Sequence, residues 1–75
     1  MAKKRSSEAV YRVVEVIGTS SISWEDAAKQ AVATASGSLR DLRIAEVLQM
    51  DMKVEKGKVV AFRTRVALSF KYEHD

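Results

Sequence analysis

Val13-Val14-Glu15-Val16-Ile17-Gly18-Thr19-Ser20, followed closely by Ser23-Trp24-Glu25-Asp26-Ala27-Ala28, reads as a strand, a break and a capped helix start. The β-branched density from Val10 to Ile17, with Tyr11, predicts a first strand. Gly18-Thr19-Ser20-Ser21 is expected to turn the chain. Ser23 is the predicted N-cap, with Asp26 three positions on in a capping-box arrangement. Glu25 and Asp26 put negative charge in the first turn, where the helix dipole favours it. Trp24, Ala27, Ala28, Ala31 and Ala35 then follow the spacing of one buried stripe, widened by Val32, and Gly37 is the expected stop. A stripe made mostly of alanine lets a helix approach a sheet closely and leaves the bulk of the core to the strands.

Two long strand-like runs follow, at about Leu42–Val54 and Lys58–Tyr72, joined through Glu55-Lys56-Gly57-Lys58 as a hairpin turn. The last run alternates. Val60, Phe62, Thr64, Val66, Leu68, Phe70 and Tyr72 share one face, and Ala61, Arg63, Arg65, Ala67, Ser69 and Lys71 the other. The middle run is less regular. Strict alternation places Ala45 and Val47 with Arg43, Gln49 and Asp51, and Met50 and Met52 with Ile44. That pattern suits a strand partly buried on both faces, one under the helix and one against a neighbour. The expected fold class is α+β, in β-α-β-β order: a three-stranded antiparallel sheet partly wrapping one helix. Residues 1–9 are read as a disordered or frayed tail and 10–73 as a single domain.

Size and charge narrow the function. A chain of 75 residues buries only about 60% of its unfolded surface and needs an added source of stability. It has no Cys, and its one His is His74, which leaves self-association rather than disulfides or a zinc site. The lack of Cys suits a cytoplasmic protein. The net charge of +3 equals the contribution of Lys3, Lys4 and Arg5, so the remaining chain is neutral and shows no nucleic-acid footprint. No run is apolar enough to span a membrane. No nucleophile–base pair can be assembled, so an enzyme is not expected. Gly18-Thr19-Ser20 lacks the spacing and the lysine of a phosphate loop.

Four blocks together resemble the dodecin family. They are Tyr11-Arg12-Val13-Val14-Glu15-Val16-Ile17-Gly18-Thr19-Ser20, the small-residue helix from Trp24, Ile44-Ala45-Glu46-Val47, and the last strand through Ser69-Phe70-Lys71. The resemblance runs from Tyr11 to Tyr72 and implies a hollow homododecamer of β-α-β-β subunits. It also implies flavin (riboflavin or flavin mononucleotide, FMN) stored in pockets between subunits, at positions that correspond here to Ile44, Glu46, Arg63 and Arg65. A flavin pocket wants an aromatic ring to stack on and an amide to read the ring edge. The family's stacking Trp is replaced by Ile44 and its amide-bearing Gln by Arg63. Loss of a stacking ring costs about 1–3 kcal/mol, tenfold or more in affinity.

Some family members without that Trp form a separate branch associated with calcium, and the Ser23-Trp24-Glu25 helix start resembles that branch. Asp51 is then the carboxylate nominated for metal. Two functions follow. One is a non-catalytic small-ligand binding and storage cage, for flavin or for another anionic nucleotide reached by Arg63 and Arg65. The alternative is a divergent cage without flavin, binding calcium or serving as a structural assembly. On plainer grounds Trp24 is a packing residue, Arg63 and Arg65 pair with carboxylates such as Glu46 or Asp51, and Ile44 is an interface residue.

Overall fold

The computed structural model describes residues 10–71. The expectations placed on the 1–9 tail, on Tyr72 and on His74 lie outside the described residues. The elements run β1 (Tyr11–Ser20), α1 (Trp24–Ser36), β2 (Leu42–Glu55) and β3 (Lys58–Lys71). The sheet is antiparallel in the order β1-β3-β2, so the last strand is central and both of its neighbours are edges. This is the expected β-α-β-β fold, with the helix on one face.

Gly18 does not end β1. It lies within the strand, opposite Thr64, and β1 continues to Ser20. A Cβ built on Gly18 would overlap the carbonyl of Ala27 and press on the Ala31 methyl. The glycine is therefore a seat for the helix rather than a turn residue. Ala27 and Ala31 are buried above it, and Ala31 packs with Val66 and Leu68 to form the core. Val16, Ala28, Val32, Ala35, Leu39 and Leu42 pack against that centre.

The helix start forms through Ser23, whose Oγ accepts from the Asp26 amide at 2.9 Å. The reciprocal half of the expected box is indirect. The Asp26 carboxylate accepts the Ser20 hydroxyl at 2.6 Å, and Ser20 Oγ accepts from the amides of Ile22 and Ser23. At the other end Gly37 caps the helix in a right-handed conformation, φ −70°, so its special freedom is unused there. The left-handed residue after the helix is Asp41, φ 58°. In the hairpin, Lys56 (φ 51°) and Gly57 (φ 78°) both take positive φ, the requirement of a two-residue type I′ turn between Glu55 and Lys58.

The middle strand departs from strict alternation. Its register against β3 shifts between Leu42 and Ile44 and again between Val47 and Gln49. Each shift inserts an extra residue and reverses which side chains face the helix. Leu42, Ala45 and Val47 lie on the helix side, opposite Phe70, Leu68 and Val66. After Leu48 the parity changes, and Met50 and Met52 stand opposite Thr64 and Phe62, also on the helix side. Ile44, Glu46, Gln49 and Asp51 occupy the outer face. The expectation that Met50 and Met52 share the Ile44 face is thus corrected, and a β-bulge is the cause.

The helix covers β2 less fully than expected, meeting it at Leu42 and, through Trp24, at the Asp51 carbonyl. Seated on Gly18, it lies over β1 and β3. A helix is about 10 Å across and adjacent strands are about 4.8 Å apart, so it shelters roughly two strands. Val47, Met50, Met52 and Val54 are left exposed on β2.

Candidate functional site

The outer face, turned away from the helix, gathers the residues nominated for ligand binding. Alternation on β3 puts Arg63, Arg65, Ala67 and Ser69 in a row, and the register places Asp51 opposite Arg63, Gln49 opposite Arg65, Glu46 opposite Ala67 and Ile44 opposite Ser69. From the other side β1 contributes Glu15 opposite Ala67, Ile17 opposite Arg65 and Thr19 opposite Arg63.

Arg63 and Asp51 form a fork. Arg63 Nε donates to Asp51 Oδ1 at 2.7 Å and Nη2 to Oδ2 at 3.0 Å, both side chains remaining partly open to solvent. The two bonds hold the Asp51 carboxyl below the usual carboxylate range and raise the Arg63 guanidinium further, opposed in each case by desolvation. Arg65 is engaged more loosely, its Nη1 donating to Glu15 Oε1 at 3.3 Å.

The fork is also tied to the opposite face. The indole N–H of Trp24 donates to the Asp51 carbonyl at 2.8 Å. Trp24 stacks edge-on against Phe62 with ring centroids 5.0 Å apart, and its own carbonyl accepts the buried Thr64 hydroxyl at 2.9 Å. Trp24 is thus a packing residue that closes the start of the helix onto β2 and β3. It is not part of the outer face.

Each described carboxylate has a partner except one. Glu15 meets Arg65, Glu25 meets Lys29, Asp26 meets Ser20, Asp41 meets Arg43, Asp51 meets Arg63 and Glu55 meets Lys53. Among the described residues Glu46 has no hydrogen bond or ion pair and is exposed. The central rows of the face therefore hold two arginines, each matched by a carboxylate, and one unmatched negative charge.

The fold brings Arg63, Arg65, Asp51 and Glu46 close along one face, but it separates Ile44 from Arg63. Ile44 lies opposite Ser69, six residues from Arg63 along β3, so the two are roughly 20 Å apart in one subunit. A single flat ligand cannot touch both from one chain. Glu15, which completes the charge pattern, was not singled out by its sequence context. Its position on the outer face follows from alternation in β1, but its place beside Arg65 depends on the strand order.

Two grooves flank the helix on the other side of the sheet. One, about 560 Å³, runs between α1 and the β1 edge past Val14, Gly18, Gln30 and Thr34. The other, about 290 Å³, lies between α1 and β2 over Ala45 and Val47. Neither contains a nominated residue. Among the described residues no three Asp, Glu, His or Cys side chains converge as a metal cluster, and no helix is long and apolar enough to cross a membrane.

The family model described as Dodecin matches residues 10–73. A calcium dodecin from Mycobacterium tuberculosis is 43% identical over 63 residues, 84% of this chain and 89% of that protein. Among solved structures, dodecin from Streptomyces coelicolor superposes with a TM-score of 0.84 at 38% identity, covering 92% of this chain and 99% of that one. The M. tuberculosis calcium dodecin, described as calcium chelating with a novel calcium-binding site, superposes with a TM-score of 0.76 at 44% identity, covering 87% and 93%.

Proposed function

This chain belongs to the dodecin family, and from that premise we propose that it is a non-catalytic, self-assembling binding protein whose subunits together hold calcium on their outer faces. The observation that carries this reading is Glu46. With Arg63 and Arg65 neutralised by Asp51 and Glu15, Glu46 is the one uncompensated carboxylate among the described residues, and it lies in the centre of the face. Copies that meet through this face bring like charges together, which a divalent cation relieves. Calcium takes six to eight oxygen ligands, more than one subunit's face supplies, so the ion has to be shared between copies. Glu46 is placed to give it first. Asp51, the carboxylate nominated from the sequence, contributes only where the ion competes with the Arg63 fork. The relationship to a calcium dodecin adds weight.

The residues present fit a flavin less well. Ile44 offers no ring to stack on, and Arg63 is already held by Asp51. One observation favours flavin as the second reading: Tyr11, partly exposed, stands on the outer face opposite Lys71 and is the aromatic side chain there among the described residues. A ring stacked on Tyr11 would be held more weakly than on an indole.

Calorimetric titration of the purified oligomer with calcium tests the proposal, with riboflavin fluorescence read on the same sample. Saturable calcium binding that Glu46→Gln abolishes, with riboflavin unquenched, is the expected result. Quenching without calcium binding would replace this reading with the flavin one.

A further inference from the structure

We propose that Met50 and Met52 are a modification site, where peroxide-class oxidants convert the thioethers to sulfoxides and so block assembly of the subunit. This inference rests on the self-assembly reading above. Both side chains are unusually open for methionine, 58% and 46% exposed. The bulge at Leu48 turns them onto the helix side of β2, opposite Thr64 and Phe62, where the Trp24 indole meets the strand at the Asp51 carbonyl and yet leaves both thioethers open. Thr64, one strand away, is 1% exposed. Methionine is therefore placed on the part of this surface that the subunit leaves bare.

The occupant of this bare strip is a second copy of the chain. β2 is an edge strand with an unpaired side, and it carries Val47, Met50, Met52 and Val54 exposed together. Beyond Ser20, which pairs with Phe62, β1 provides no third strand, so Lys53–Glu55 and Lys58–Ala61 form a two-stranded arm. Such a ribbon is marginal in water and gains stability by docking. An exposed apolar edge favours strand or face pairing with a like surface.

The chemistry balances without any further reagent. The sulfur lone pair attacks the peroxide oxygen, the O–O bond breaks, and one water leaves. The sulfur is oxidised by two electrons and the peroxide is reduced. The product is a polar, chiral sulfoxide where a flexible apolar group stood. In an assembled interface that oxygen has to lose its water without gaining a partner. The chain has no Cys, so thiol oxidation does not compete. Once assembled, the same two sulfurs are covered, and the switch acts on subunits before they meet.

The test uses the full chain, dissociated in denaturant, treated with hydrogen peroxide and returned to native buffer, with mass read by light scattering. Wild type with one oxygen added at each of Met50 and Met52 is expected to assemble roughly tenfold less than the untreated chain. Methionine sulfoxide reductases are expected to restore assembly. The double variant Met50→Leu/Met52→Leu, which keeps Met1 and Trp24, is expected to assemble after the same treatment. Full assembly of the oxidised wild type, equal sensitivity of the double variant, or no recovery with the reductases would each overturn the proposal. A native protein already at subunit mass before peroxide would overturn the assembly reading, and this one with it.

Discussion

The sheet has two unlike halves. Over β1 and β3 the helix is seated on Gly18, alanines meet the strand backbone, and Val66 and Leu68 are fully buried. Over β2 the helix gives far less cover, reaching Leu42 at one end and the Asp51 carbonyl through Trp24, and a strand of 14 residues shows Val47, Met50, Met52 and Val54 to solvent. The β2–β3 hairpin contributes one strand to each half. What separates them is where one helix sits. The covered half determines whether the subunit folds, and the bare half determines what the folded subunit does next. Substitutions in the two halves should accordingly fail in different ways.

The largest effect is expected at the seat itself. Gly18→Val places a branched side chain inside the Ala27 carbonyl and should lift the helix, costing about 3 kcal/mol or more. Loss of the cooperative thermal transition is the expected outcome, and a variant melting like wild type would show that the helix is seated elsewhere. Leu68→Ala, deep under the helix, should cost about 2–5 kcal/mol through its cavity, measured by urea denaturation.

In the bare half, Met50→Ser with Met52→Ser should change the dissociated subunit's stability by no more than about 0.5 kcal/mol per site while reducing assembly sharply. Sedimentation read beside circular dichroism checks this. Loss of helix signal along with loss of mass would erase the distinction between the halves.

The smallest effect belongs to the Arg63–Asp51 fork on the outer face. The folded Asp51 carboxyl is depressed, so its contribution to stability is present above the ordinary carboxylate range and is lost as pH falls through the depressed value. Asp51→Asn should flatten that acid limb slightly and leave neutral-pH stability almost unchanged, because the pair is open to solvent. A carboxyl-carbon NMR titration of Asp51 showing an ordinary midpoint would contradict the fork.

Much of this was legible from residue patterns, and the misses have definite causes. Ser23 declared the helix start, Lys56-Gly57 the hairpin, and the alternation on β3 the two faces of the sheet. Gly18 was misread as a turn because a glycine that ends a strand and one that admits a helix look the same without the partner. The face of Met50 and Met52 was misread because a β-bulge leaves no reliable mark in a run of apolar residues. At the candidate site, Arg63 and Arg65 were seen to share a side. Their separate partners, Asp51 and Glu15, depend on strand order, and the lack of a partner for Glu46 among the described residues follows only once every other described carboxylate has been matched.

The central claim is that the uncovered β2 half is completed by further copies of the chain. Light scattering on the untreated protein at neutral pH, with circular dichroism on the same sample, tests it most directly. The account predicts a folded particle of many subunits, at the dodecamer mass that the family implies. A folded protein with the mass of a single chain would contradict it.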